Sequence, residues 1–175
     1  MDTDAFSKAF EAHSDELFRH ACMRLSDRER ALELTQDCFV RAWEYVGKGN
    51  TIDNMRPFLY RTLRNLIIDE YRRKKSVSLE ALAELGEADP ESLLPPDESN
   101  TLEAAVGRFE GREILAAVRR LAEPYGEVLM MRYVDGLSPR EMADIVGESE
   151  NAVSVRVHRA LKKLRELMEN DYEKF

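Results

Sequence analysis

Apolar residues recur along this chain at helical rather than strand spacing. From Thr3 to Leu25, Phe6, Phe10, Leu17, Phe18, Ala21 and Leu25 fall at intervals that gather them on one side of a helix. Ser26-Asp27 supplies an N-cap signal for a second helix reaching Val46, with Leu34, Cys38 and Val40–Ala42 on or near its inner face. Gly47-Lys48-Gly49-Asn50 breaks it. Pro57 fits the first turn of a third helix, where its missing N–H does no harm. That helix carries Phe58, Leu59, Leu63, Leu66, Ile67 and Tyr71 as far as Arg72-Arg73-Lys74-Lys75. Three helices with short connections bury one shared core, so residues 1–75 are predicted to form one domain.

The pattern lapses over 76–108, where acidic groups, Pro90, Pro95, Pro96, Ser and Asn dominate around Leu79, Leu82, Leu85, Leu93 and Leu94. This composition predicts a flexible acidic linker with at most a transient helical turn. Helical spacing returns over 109–175. Ile114, Leu115, Val118 and Leu121 form one stripe, and Pro124 opens a helix through Val128, Leu129 and Tyr133. Gly136 ends that helix. Ser138-Pro139-Arg140-Glu141 combines an N-cap, a first-turn Pro and a third-position Glu, the pattern of a capping box. The helix it opens carries Met142, Ala143, Ile145 and Val146 and stops at Gly147. A final helix runs from about Ser149 to Met168 on Val153, Val157, Leu161, Leu164 and Met168. The expected fold class is all-α: two small helical domains joined by a flexible acidic linker.

Charge changes this picture. The chain of 175 residues has a net charge of −8, which argues against a nucleic-acid partner. Yet residues 51–75 hold seven basic and three acidic groups, and 149–165 hold five basic and one acidic. Residues 76–110 hold one basic and nine acidic groups. Two cationic helices with an anionic connector suit a polyanion held at two places.

Other classes fit poorly. No apolar run is long enough to span a membrane, and the start, Met1-Asp2-Thr3-Asp4, is acidic where a secretion signal is basic, so a cytoplasmic protein without membrane insertion is expected. Cys22 and Cys38 lack metal-like spacing and read as reduced, partly buried thiols, with a redox-sensing pair as the sharper alternative. Three His (His13, His20, His158) form no catalytic pattern, and Gly47-Lys48-Gly49-Asn50 lacks the spacing of a phosphate loop. No enzyme, metal or cofactor is expected.

A short capped helix, a glycine turn and a longer basic helix form the layout of a helix-turn-helix. Val153 and Val157 would anchor the second helix, leaving Asn151, Ser154, Val155, Arg156, His158 and Arg159 on its other faces, with Lys162 and Lys163 beyond. Short polar side chains near a helix start approach base edges, and arginines reach guanine edges or phosphates. The cluster Arg72-Arg73-Lys74-Lys75 alone would suit a solvated helix end. Arg61, Arg64 and Asn65 extend its cationic edge along the same helix, beside Phe58 and Tyr60.

Leu34-Thr35-Gln36-Asp37-Cys38-Phe39-Val40-Arg41-Ala42-Trp43, Phe58-Leu59-Tyr60-Arg61-Thr62-Leu63-Arg64-Asn65 and Asp69-Glu70-Tyr71-Arg72-Arg73 resemble region 2 of the extracytoplasmic-function (ECF) sigma factors. Tyr133-Val134-Asp135-Gly136-Leu137-Ser138, Glu141-Met142-Ala143 and Val153-Ser154-Val155-Arg156-Val157-His158-Arg159-Ala160 resemble their region 4. Phe58 stands where the family commonly has Trp, and Ser154 where a basic residue is usual.

The resemblance implies a transcription initiation factor partnered by core RNA polymerase (β′ coiled coil and β flap), promoter DNA and an anti-sigma factor. Glu33, Gln36, Asp37, Phe39, Arg41 and Trp43 would meet polymerase. Asn50, Asn54, Arg61, Arg64, Asn65, Asp69, Arg72 and Arg73 would handle the melted minus-ten element. Asn151, Ser154, Val155, Arg156, His158, Arg159, Lys162 and Lys163 would read the minus-thirty-five element. A stand-alone helix-turn-helix regulator is the alternative, and it would bind an operator without polymerase.

Overall fold

The computed structural model describes residues 3–25, 27–85 and 109–172. Among them every regular element is a helix, and the chain divides into two compact units, Met1–Asn100 and Thr101–Phe175. No helix among the described residues is long and apolar enough to cross a membrane.

The first unit contains α1 (Thr3–Leu25), α2 (Arg28–Gly47) and α3 (Met55–Leu85), which pack on one another. Asp27 caps α2 by accepting the Arg30 N–H at 3.0 Å. Leu17, Ala21, Ala31, Cys38, Ala42, Leu59, Leu63 and Ile67 are fully buried between the three helices. Each large aliphatic side chain among them contributes about 1.5–3 kcal/mol by leaving water. Within this core the Cys38 thiol donates to the Leu59 carbonyl at 3.2 Å, tying α2 to α3. Both cysteines are free thiols, with Cys22 only partly buried.

Several expectations fail here: Phe10 and Tyr71, expected on apolar stripes, are exposed, and two others fail more sharply. Val40, expected near the inner face, is 54% exposed: Cys38 and Ala42 share a face at i, i+4, and the residue midway between them turns outward. The third helix also outruns the basic cluster by ten residues, into the segment expected to be linker. Residues 76–85 contain no Gly or Pro and are rich in Ala, Leu and Glu, which favour helix more than their acidity opposes it. The rest of the expected linker, 86–108, lies outside the described residues.

In the second unit α4 (Phe109–Arg120) and α5 (Glu123–Leu129) pack closely on each other. A Cβ at Gly126 would lie 3.0 Å from the Val118 carbonyl oxygen, so glycine permits this approach. α5 runs into a π-helical turn, Met130–Val134, closed by the Asp135 N–H donating to the Met130 carbonyl. The wider turn shifts the helical phase: Met130 and Met131 are buried, whereas Tyr133, expected on the apolar stripe, is 61% exposed.

The predicted capping box opens α6 (Pro139–Val146). Ser138 Oγ accepts the Glu141 N–H at 3.2 Å, and the Ser138 N–H donates to the Glu141 carboxylate at 2.8 Å. Gly147 then turns the chain at φ +73°, a conformation costly for any residue with a Cβ. In α7 (Glu150–Tyr172), capped by the Ser149 hydroxyl, Val153 and Ala160 are fully buried and Val157 partly so. Leu161, expected inside, is half-exposed because Ala160 takes the inward position of that turn.

Candidate functional site

Three surfaces carry the candidate residues. On α2, Glu33, Gln36, Asp37, Arg41 and Trp43 are exposed. Leu32 and Val40, one helical turn on either side of Gln36, are also exposed and make this face partly apolar. Neither was among the predicted contacts, although their four-residue spacing from Gln36 was readable in the sequence. Phe39 was predicted to meet a partner and instead is 3% exposed. Its ring packs 4.8 Å from Phe10 and 6.2 Å from Phe6, and the Phe6 ring meets Trp43 at 4.9 Å. Phe39 therefore supports the face from beneath, one residue out of phase with Val40.

The loop after α2 is the second surface. Asn50 donates through its side-chain amide to the Tyr45 carbonyl at 2.9 Å, while Asn54 lies exposed just before α3. Glu16 of α1 clasps Arg56 at 2.8 Å and fixes the start of α3 below the loop. Burial alone would raise the Glu16 carboxyl, but hydrogen bonds from Arg56 and His13 outweigh it and lower its pKa.

The Tyr45 and Phe58 rings meet at 5.0 Å, tilted by 44°, and the Arg61 guanidinium lies 5.8 Å over the Phe58 ring. Tyr45 is exposed and Phe58 half-buried beneath it, and an aromatic edge bordered by a cation suits stacking of an unpaired base. Tyr60, considered with Phe58 in the sequence, is 1% exposed and belongs to the core.

Along α3, Arg61, Asn65, Asp69, Arg72, Arg73 and Lys74 are exposed and Arg64 partly so. Glu70, beside them, has a side chain only 3% exposed. It accepts Arg30 Nε and Nη2 at 3.0 and 2.8 Å, and Arg73 Nη2 at 2.8 Å. Arg30 also pairs with Glu33 at 2.5 Å. Burial pushes the Glu70 carboxyl up, but Arg30 and then Arg73 more than offset this and hold it below its ordinary range.

A carboxyl whose pKa is lowered by folding stabilises the fold above its unfolded value and ceases to do so as pH falls through the folded value. Glu70→Gln is therefore expected to cost about 1–3 kcal/mol at neutral pH. That difference should shrink in acid below the ordinary value of 4.5, as urea titrations at several pH values would record.

The third surface is α7. Asn151, Ser154, Val155, His158, Arg159, Lys162 and Lys163 are all exposed. Arg156 is half-buried and paired with Glu148, and Lys163 lies 5.2 Å over the Tyr125 ring. Among the described residues no group of His, Cys, Asp and Glu is arranged to hold a metal ion.

Residues 9–77 match the family model described as sigma-70 region 2, and residues 111–164 match that of sigma-70, region 4. The ECF RNA polymerase sigma factor BldN of Streptomyces coelicolor is 27% identical over 174 residues, which cover 97% of this chain and 62% of BldN. The chain thus spans about three-fifths of that relative's length. The ECF RNA polymerase sigma factor SigW of Bacillus subtilis is 26% identical over 172 residues, covering 94% of this chain and 89% of SigW.

The fold is shared with the sigma factor RpoE, solved with the anti-sigma factor NepR from Bartonella quintana. Its TM-score is 0.75 at 20% identity, covering 95% of this chain and 98% of that one. CnrH, solved with the cytosolic domain of CnrY, gives a TM-score of 0.67 at 23% identity, covering 97% and 91%. With region 2 and region 4 both matched, in this order and over most of its length, the chain belongs to the sigma-70 family as one of its ECF RNA polymerase sigma factors.

Proposed function

We propose that this chain directs core RNA polymerase to a set of promoters, working in the cytoplasm and bringing no catalytic group of its own. The observation that carries the reading is the pairing, within the first unit, of a partly apolar exposed α2 face with a separate basic edge on α3. A helix face mixing Leu32, Val40 and Trp43 with Gln36, Asp37 and Arg41 has the make-up of a protein interface. We assign it to the β′ coiled coil of polymerase, and the β flap to the second unit.

The Tyr45–Phe58–Arg61 surface and the cations of α3 then meet the melted minus-ten strand, with Asn50 and Asn54 beside an extruded base. The exposed side of α7 enters the major groove at the minus-thirty-five element. Residues 1–75 and 109–175 act as the two working domains, joined through 76–108. Control by an anti-sigma factor is part of the reading, supported by the relative RpoE, which was solved in complex with one.

Reconstituted transcription from a genomic DNA library tests the whole. Core polymerase plus this chain is expected to start transcripts from a restricted set of sites sharing two upstream elements. DNA binding by the chain alone, with no capture of core polymerase, would replace this reading with that of a stand-alone regulator.

A further inference from the structure

Glu148 lies in the turn between α6 and α7 with its backbone held in place. Its N–H and that of Gly147 both donate to the Ala143 carbonyl, at 3.2 and 2.9 Å. Its carboxylate receives Arg156 Nη2 at 2.5 and 2.6 Å. The two side chains are 36% and 25% exposed, so the pair is partly shielded from water. Helix side chains lean toward the N-terminus, and this pair draws the Arg156 guanidinium back over the turn.

Arg156 shares a flank of α7 with Lys163, seven residues on, which lies over the Tyr125 ring. Both cations of that flank are turned toward their own protein. Asn151, Val155, His158, Arg159 and Lys162 occupy the open side.

A fork contact to guanine needs two N–H donors from one edge of a guanidinium. Both usable edges, Nε with Nη2 and Nη1 with Nη2, include Nη2, and the two Glu148 oxygens at 2.5 and 2.6 Å crowd both of its N–H groups. We propose that Glu148 is a positioning residue that sets promoter specificity. By holding Nη2 it withholds Arg156 from base edges and leaves Nε and Nη1 for a phosphate, so base reading falls to the open side of α7. This rests on the second unit reading duplex promoter DNA.

The test uses holoenzyme, made from core polymerase and the full chain, on a panel of single-base variants of the upstream element of one selected promoter. Arg156→Ala is expected to weaken every variant alike, about three- to tenfold, with a salt slope shallower by about one. Glu148→Ala is expected to create a new preference for guanine at one base step, about tenfold. That preference should vanish when Arg156→Ala is added. Glu148→Gln removes the charge and replaces one of the two accepting oxygens by an NH2 donor, so it is expected to show the same new guanine preference in weaker form.

Unchanged preferences in Glu148→Ala would overturn the proposal, as would an existing preference flattened by Arg156→Ala. Wild-type holoenzyme indifferent to every upstream variant would sink the reading of the second unit and this proposal with it, before any substitution is compared.

Discussion

Replacing Arg72, Arg73 and Lys74 together with alanine is expected to cut affinity for the melted minus-ten strand roughly 10–100-fold at physiological salt. All three side chains are exposed at one end of the basic edge of α3. Each phosphate neutralised on a single strand releases counterions worth about 0.7 of a log–log salt slope. Three lost contacts should therefore flatten the slope by about two, and that flattening separates charge loss from misfolding. Arg73 gives its contact to Glu70 in the free protein, so the full effect requires that DNA draws it away. The measurement is holoenzyme binding to a bubble template over a salt series. A duplex probe carrying only the minus-thirty-five element should respond little, and an equal loss there would count against separate reading surfaces.

The largest stability effect is expected at Leu63. This side chain is fully buried in α3 where α1 and α2 also pack. Leu63→Ala removes about three methylene equivalents and leaves a cavity, a change worth about 2–5 kcal/mol. Stabilities of whole domains run to only about 5–15 kcal/mol, so the first unit would be left close to its limit. Trp43, the single tryptophan of the chain, lies in that unit and reports its unfolding by fluorescence. Denaturation in urea should show the midpoint fall with little change in slope. A loss below about 1 kcal/mol would mean that the three helices close over the missing methyls, contrary to the packing seen here.

Much of this is legible in the sequence alone. The spacing of Leu17, Ala21, Leu34, Cys38, Leu59 and Leu63 marked the three-helix core, because burial enforces a helical period. The Ser138–Glu141 box and Gly147 marked the turn, because capping and positive φ restrict residue choice sharply. What escaped was whatever depended on phase within a helix or on distant partners. Phe39 and Val40 exchanged roles across one residue, which a smooth apolar stripe cannot resolve. The π-helical turn moved Tyr133 outward without any sequence signal that we identify. The extent of α3 follows the helix propensity of Ala, Leu and Glu over 76–85, which outweighs the acidity of that stretch. The Glu70 and Glu148 pairings join residues of opposite charge whose choice of partner only the fold decides, so a segment-by-segment charge count passes over both.

The Cys38 thiol, already seen tying α2 to α3, has a further consequence for handling the protein. Burial pushes its pKa up to about 12. Only the thiolate reacts with alkylating reagents, and at neutral pH that leaves about one part in a hundred thousand. Cys22 is raised as well, chiefly by burial, but sits partly open to solvent on α1. A maleimide dye added under native conditions is therefore expected to favour Cys22, as mass spectrometry of the labelled chain would record. Preferential labelling there would give the unaltered chain a handle for following the proposed docking onto polymerase without any cysteine being removed.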